Sequence, residues 1–320
     1  MIGIRTPFRI SFSGGSTDLP SFYRKNGGKV ISTSINKYMY HFVHKFDKEL
    51  IQVKYSETEL VSDPKKIKHK IVNQVAKEYD ISGLDINSIA DIPKGSGLGS
   101  SSAYTVGLLN AVNLYNDNKL SKEMLAKKSA ELEIEKLNEP IGKQDHYAST
   151  YGGVNLITFN KDDSVEVEKV TLEDQGVNFL NSALCLVKVG KTRSASSLLQ
   201  NQNQSYLDGS NKKFGIEILN LVDSMYGAIS NYDIKEIGKL LTENWQIKKR
   251  LSSEITNSEI EELNNSITNK SGIYGSKLLG AGGGGYLLIC GEPKEINELD
   301  NDQKVSFKFE NTGSTIIFQD

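Results

Sequence analysis

The chain has two cysteines in 320 residues, one tryptophan, six prolines and only four histidines. No apolar run in it reaches the roughly 18 residues that a membrane helix needs. A membrane-embedded protein is therefore not expected. Cys185 and Cys290 lie in separate apolar runs, Ala183 to Val189 and Leu287 to Cys290. That setting predicts reduced core residues, and no Cys/His spacing suggests zinc. The formal charge of -2 leaves no basic footprint for nucleic acid. Lysine patches such as Lys65-Lys66-Ile67-Lys68 are interrupted by apolar residues, which predicts a solvated helix face. A secretory core is missing too, because Arg5 and Arg9 break it. These absences predict a cytoplasmic protein. The length suffices for two domains and a large core, and the pattern specifies no oligomeric state.

What is abundant is glycine, 28 residues, and much of it is clustered. The chain is organised around Pro93-Lys94-Gly95-Ser96-Gly97-Leu98-Gly99-Ser100-Ser101-Ser102-Ala103. Leu84 to Ile92 before it alternate as a strand does, and Ser102 to Tyr115 after it have helical spacing. A strand, a glycine turn and a helix start gather backbone N–H groups and a positive helix end in one place, which suits phosphate. One serine would cap the helix. Three serines after three alternating glycines exceed what a cap needs. A Walker loop is excluded because no lysine follows Gly99, and a dinucleotide loop because Ser100 stands where glycine is required. Neither H-R-D nor D-F-G occurs, so this is not a protein-kinase loop.

Upstream, Phe8, Ile10 and Phe12 alternate with Arg9, Ser11 and Ser13 as a strand. It ends in the small polar turn Gly14-Gly15-Ser16-Thr17-Asp18. Val30 to Ile35, Tyr38 to His44 and Ile51 to Tyr55 suggest a meander broken at Asn36-Lys37. Asp63-Pro64 predicts a helix start, with Ile67, Ile71, Val75 and Tyr79 on one face. Ser121 caps a second helix to about Lys136, which carries Glu131, Glu133 and Glu135. Pro140 and Gly142 force a loop before a short helix that starts near Asp145. His146 is next to Asp145, but sequence neighbours point apart, so the two are not paired. Strands are expected at Val154 to Phe159, Val165 to Val170 and Ala183 to Val189. Lys191-Thr192-Arg193-Ser194 then opens a long helical region, as either a capped start or a second anion site. Within it, Asn231-Tyr232-Asp233 separates two periodic faces of a helical hairpin. Finally Gly280-Ala281-Gly282-Gly283-Gly284-Gly285 sits between two strand-like runs, which favours close approach to a ligand over a linker.

The P-x-x-x-G-L-G-S-S-S segment resembles the second motif of the galactokinase, homoserine kinase, mevalonate kinase and phosphomevalonate kinase superfamily. Pro7-Phe8-Arg9 with Thr17-Asp18 resembles the first motif. The 277–286 glycine stretch resembles the third. Gly15-Ser16 departs from the galactokinase-like members, which have Glu-His there. R-T-P-F-R, G-G-S-T-D, E-P-I-G-K-Q-D and T-R-S-A-S are most similar to the heptose 7-phosphate kinase branch. The resemblance implies an α+β fold, with an N-terminal domain over 1–180 and a ferredoxin-like domain over 181–320. It implies ATP and Mg²⁺ as cofactors and a small-molecule sugar phosphate as partner. The reaction implied is phosphorylation of the anomeric hydroxyl of D-glycero-D-manno-heptose 7-phosphate, for surface glycan precursors. Fucose- or galactose-type sugar kinases, and a silent nucleotide-binding regulator, are the alternatives.

By the same resemblance Asp145 removes a proton and Arg9 keeps it ionised. Pro93, Gly95, Ser96, Gly97, Leu98, Gly99, Ser100, Ser101 and Ser102 hold the nucleotide. Ser101 (or Ser100) and Glu133, twelve residues before Asp145, hold the metal. Gly14, Gly15, Ser16, Thr17, Asp18, Lys143, Arg193, Gly282, Gly283 and Gly284 line the substrate side.

Overall fold

The computed structural model describes residues 1–190, 196–299 and 304–320. Two sheets organise it. The first contains β1 (Ile2–Ser13), β2 (Gly28–Lys45), β3 (Ile51–Lys54), β4 (Thr58–Val61), β5 (Leu84–Ala90), β6 (Val154–Phe159) and β7 (Val165–Lys169). The second contains β8 (Leu184–Val189), β9 (Ile273–Leu278), β10 (Gly285–Gly291) and β11 (Lys304–Val305). The last strand, β12 (Thr315–Gln319), returns to the first sheet beside β1.

The first sheet runs β12-β1-β2-β5-β3-β4, with β6 on the free half of β2 and β7 beyond it. The second runs β11-β8-β10-β9, and all its pairs are antiparallel. Among the described residues four helices connect β8 to β9: α7 (Ser196–Leu207), α8 (Lys212–Ser230), α9 (Ile234–Lys249) and α10 (Ser258–Thr268). One more, α11 (Pro293–Glu298), leads from β10 toward β11. That order and connectivity are those of the split βαβ, ferredoxin-like unit. The fold is α+β. Among the described residues no helix is long and apolar enough to cross a membrane.

The preceding helices are α1 (Pro20–Asn26), α2 (Lys70–Glu78), α3 (Ser100–Tyr115), α4 (Lys122–Glu131), α5 (Gln144–Tyr151) and α6 (Asp174–Ala183). α3 is buried nearly all round, from Ser102 to Leu109 and again at Ala111 to Asn113, and it packs on β1 and β2. A helix so enclosed is held by its neighbours and cannot shift its N-terminus freely. β1 is buried along almost its whole length and touches α3, α5, α8 and α9. It is the strand on which both halves of the molecule rest.

Three local expectations are corrected. β2 is one continuous strand, because Asn36 and Lys37 are absorbed as a bulge opposite the Pro7–Phe8 step. The helix expected at Pro64 stops after a single 3₁₀ turn, since Ile67 is extended, and α2 begins at Lys70 under a cap from His69. α6 is absent from the sequence reading, as its buried positions are only Gly176, Leu180 and Ala183. Cys185 and Cys290 are free and buried, as expected.

Candidate active site

Alternation along β1 puts Arg9, Ser11 and Ser13 on one face. Arg9 is 4% exposed. Its Nε and Nη2 donate to Asp145 Oδ1 and Oδ2 at 2.6 and 2.7 Å, and its Nη1 donates to the Gly97 carbonyl at 2.6 Å. Its backbone N–H also donates to the Leu98 carbonyl at 3.0 Å. One buried arginine therefore ties β1, the glycine-serine loop and α5 together. The two-pronged bond fixes the plane of the Asp145 carboxylate, which one contact could not do. About a fifth of the Asp145 side chain remains exposed, at 21%.

The loop before α3 alternates in conformation. Gly95, Gly97 and Gly99 have φ of 76°, 77° and 77°, a left-handed region that other L-residues avoid. Among the described residues no side chain caps α3, so the amides of its first turn are available to an anion. Ser96, Leu98 and Ser102 are buried and support the loop, whereas Pro93, Gly95 and Ser101 are exposed and Ser100 is half-buried. Where the loop meets the second sheet, backbone lies close against backbone. A Cβ on Gly280 would lie 2.4 Å from the Gly97 Cα, and one on Gly285 2.5 Å from the Ser96 carbonyl oxygen.

Glu133 is turned inward by one π-helical turn, Leu132–Lys136, that follows α4. Ser101 and Thr105 donate to its two oxygens at 2.9 and 2.6 Å, and His146 Nε2 lies 3.1 Å from Oε1. Burial opposes its charge, but the bonds from His146, Thr105 and Ser101 outweigh burial and hold the carboxyl below its ordinary value. Ser101, not Ser100, reaches this carboxylate. Glu131 is half-buried and Glu135 exposed.

Asp18 is buried and accepts from the amide of Gln144 at 3.0 Å and of Ser16 at 3.2 Å. Burial pushes its carboxyl up to about 6, with the nearby Asp145 adding to the rise and the Gln144 amide opposing it. Gly142 allows this approach, since a Cβ there would fall 1.9 Å from Asp18 Oδ2. Ser16 Oγ meets Tyr206 Oη of α7 at 2.9 Å.

Several expected substrate residues have partners within the fold. Thr17 Oγ1 donates to the carbonyls of Gly14 and Lys29, and Gly14, at φ 90°, makes room for the Lys29 carbonyl, so both build the turn. Lys143 directs its Nζ to Asp163 and the Tyr23 ring. A Cβ on Gly282 would meet the Ile255 carbonyl oxygen at 2.9 Å, and the Gly283 amide donates to that same oxygen at 2.8 Å. Gly284 has φ 145° and lies beside Gly190. These glycines shape the second sheet's loop by packing. Arg193, with Lys191, Thr192 and Ser194, lies outside the described residues.

Sequence reasoning missed two buried cations. Lys277 Nζ donates to the carbonyls of Ser11 and Phe12, and Lys248 Nζ donates to those of Leu278 and Gly280. Burial, then Arg9, pushes Lys248 down to about 7, while burial with Lys248 and Arg9 holds Lys277 well below its ordinary value. The signal for Lys248 was available. It continues the apolar stripe Ile234, Ile237, Leu241, Trp245 by one more helical step. The pairing of His146 with Glu133 had no sequence signal beyond proximity to Asp145.

The site thus gathers a phosphate-type loop, a held carboxylate, a buried carboxylate beside a serine, and a polar turn. Residues 66–153 match the GHMP kinases N terminal domain, and residues 225–300 match the GHMP kinases C terminal domain. Among curated proteins the chain is similar to the D-glycero-alpha-D-manno-heptose 7-phosphate kinase of Campylobacter jejuni, at 26% identity over 91% of this chain and 90% of that one. It is also similar to the galactokinase of Thermotoga maritima, at 22% identity over 99% and 97%. Among solved structures, a D-glycero-D-manno-heptose 1-phosphate kinase from Bacteroides thetaiotaomicron has the same fold, with a TM-score of 0.79 at 20% identity over 100% and 99% of the two chains. Lactococcus lactis galactokinase complexed with galactose follows at 0.75 and 16% identity, over 98% and 94%. With both halves matched in chain order and the fold shared end to end, this chain belongs to the GHMP kinases and is an ATP-dependent phosphotransferase of the sugar-kinase kind.

Proposed function

We propose that the enzyme transfers the γ-phosphoryl group of ATP to the anomeric hydroxyl of D-glycero-D-manno-heptose 7-phosphate, giving the 1,7-bisphosphate and ADP. The observation that carries this reading is the Arg9–Asp145 pair, set between the glycine-serine loop and the Gly15–Asp18 turn. The Campylobacter relative supplies the choice of sugar.

Phosphoryl transfer needs alignment and neutralisation of spreading negative charge more than it needs covalent chemistry. The backbone from Pro93 through Ser102 cradles the ATP phosphates, using the left-handed glycines and the uncapped start of α3. Asp145 accepts the proton of the attacking hydroxyl as the new O–P bond forms and ADP leaves. Arg9 holds Asp145 in plane and offsets charge at the reacting centre. Asp18 accepts hydrogen bonds from sugar hydroxyls, and Ser16, held by Tyr206, forms the next edge. The oxygens of Ser101 and Glu133 fit Mg²⁺, since both are hard donors and the Ser101 hydroxyl keeps its lone pairs while donating to Glu133. Held there, the ion would neutralise phosphate charge. The units 1–180 and 181–320 meet at this site, with β12 lying on the first sheet. Arg193 remains the proposed partner of the sugar phosphate.

The test is ATP consumption with D-glycero-D-manno-heptose 7-phosphate, L-fucose and D-galactose in parallel, with the product's phosphorylated carbon identified by phosphorus NMR. Turnover of the heptose phosphate at C1 supports the proposal. Preference for L-fucose or D-galactose replaces it with that sugar 1-kinase.

A further inference from the structure

α9 ends in two lysines that the fold treats differently. Lys249 pairs with Glu261 at 2.9 Å. Lys248 is 8% exposed, on a helix that packs against β1, β9 and β10. Burial and the neighbouring Arg9 both oppose its charge, and among the described residues no carboxylate compensates. An apolar residue would continue the stripe of Ile237, Leu241 and Trp245 without that penalty. What the amine does there is donate, to the Leu278 carbonyl at 3.2 Å and to the Gly280 carbonyl. A neutral amine keeps two N–H groups, so the two bonds stand in either protonation state.

These carbonyls belong to the connection between β9 and β10, which is held at two points by the end of α9 and the chain just after it. Lys248 holds Gly280, and the Ile255 carbonyl accepts from the Gly283 amide at 2.8 Å. So held, the connection lies directly against the glycine-serine loop. A Cβ on Gly97 would fall 2.7 Å from the Leu279 carbonyl oxygen, and one on Gly280 2.4 Å from the Gly97 Cα. Gly97 is also the residue whose carbonyl accepts from Arg9 Nη1 at 2.6 Å, while the rest of that guanidinium grips Asp145. A continuous path therefore runs from Lys248 through Gly280 and Gly97 to Arg9 and Asp145. Lys277, the other buried amine, lies off this path, since it bonds the Ser11 and Phe12 carbonyls and ties β9 to β1 directly.

We propose that Lys248 is a positioning residue for phosphoryl transfer, setting the Gly97 carbonyl that anchors Arg9 and, through Arg9, the plane of the Asp145 carboxylate. The inference rests on the sugar-kinase reading of that pair. Its leverage comes from the narrow tolerance of the reaction, in which a misplacement of about 1 Å costs on the order of 10²-fold in rate. Close-packed backbone between Gly280 and Gly97 passes on such a shift because it leaves no slack to absorb it.

The experiment is a double-mutant cycle in the full chain, with Lys248→Met, Arg9→Met and the two combined. The readout is single-turnover transfer from ATP to whichever of D-glycero-D-manno-heptose 7-phosphate, L-fucose and D-galactose the wild type phosphorylates. Lys248→Met alone is expected to slow transfer by about tenfold or more. In the Arg9→Met background the same change should alter the rate by less than about twofold, because the path it acts through is already cut. Lys248→Gln, which keeps a donating amide, should slow transfer less and show the same insensitivity in that background, and it carries the test if Lys248→Met does not fold. A merely structural role would lower the melting temperature and slow transfer by the same factor in both backgrounds. That result, or a Lys248→Met rate within about twofold of wild type, overturns the inference and leaves the sugar-kinase reading standing. A wild type that phosphorylates none of the three sugars overturns both.

Discussion

Asp145 and Glu133 are both carboxylates of the same site, yet the chain treats them differently. Among the described residues Asp145 has one side-chain partner, Arg9, and keeps 21% exposure. Glu133 has three side-chain partners, Ser101, Thr105 and His146, and keeps 2%. Neighbouring residues of α5 divide the work, Asp145 reaching Arg9 and His146 reaching Glu133. A carboxylate held in plane with an open edge can accept a proton from an incoming hydroxyl. One enclosed by donors and kept below its ordinary pKa is suited to carrying fixed negative charge toward a cation. On the function proposed here, that difference suits one to proton removal and the other to fixed charge.

Among the residues that support the two carboxylates, the largest effect that would break this comparison is at Arg9. Arg9→Met is expected to lower kcat by roughly 10²–10³-fold, the range for loss of a preorganised charge at a reacting centre. Arg9→Lys should recover little, because an ammonium cannot make the two-pronged bond. Steady-state rates at saturating ATP and sugar check both. Next is Glu133→Gln, which should raise the Mg²⁺ concentration for half-maximal activity by about 10–100-fold, as loss of a metal-site interaction does. Glu131→Gln and Glu135→Gln should leave that titration near wild type, and three equal effects would contradict the assignment.

A smaller effect is expected where the loops meet. Gly280→Ala places a Cβ 2.4 Å from the Gly97 Cα at φ 71°, so it should destabilise the fold by about 1–3 kcal/mol of local strain. It should also raise the ATP KM more than the sugar KM. The smallest concerns Asp18, a third carboxylate, whose shift is opposite to that of Glu133. Its carboxyl is raised by burial to about 6 from an ordinary 3.8. A raised pKa contributes stability that is complete below about pH 4 and is lost as pH rises through about 6. Asp18→Asn should lack that slope, so the difference in urea midpoint between wild type and variant should shift in the variant's favour across pH 4 to 6 and then level off. A constant difference from pH 4 to 7 would contradict the burial of an ionisable group at that position.

Much of the site was legible because it is built from short, locally encoded devices. Alternating glycines announce the loop, and β alternation puts Arg9 on a polar face. What was not legible depends on long-range packing. Whether Asn36-Lys37 ends a strand or bulges within one depends on Pro7 across the sheet. Thr17 and Gly14 read as site residues, but only the position of Lys29 reveals that they close the turn. Lys143 reads as a cation near the chemistry, and its partner Asp163 lies in a separate turn. The quadruple glycine reads as a ligand cradle, and part of it is required by Ile255 and by the backbone of the first loop. In each case residue type and spacing were right and the partner was distant in sequence.

The most direct measurement is the rate of phosphoryl transfer by Asp145→Asn, read in a single turnover, together with its affinity for ATP by calorimetry. If Asp145 removes the proton, the transfer rate falls by about 10²–10⁴-fold while the ATP affinity and melting temperature stay at wild-type values. Transfer at a near-wild-type rate would contradict this account and leave alignment by Arg9 and the glycine-serine loop as the sole catalytic device.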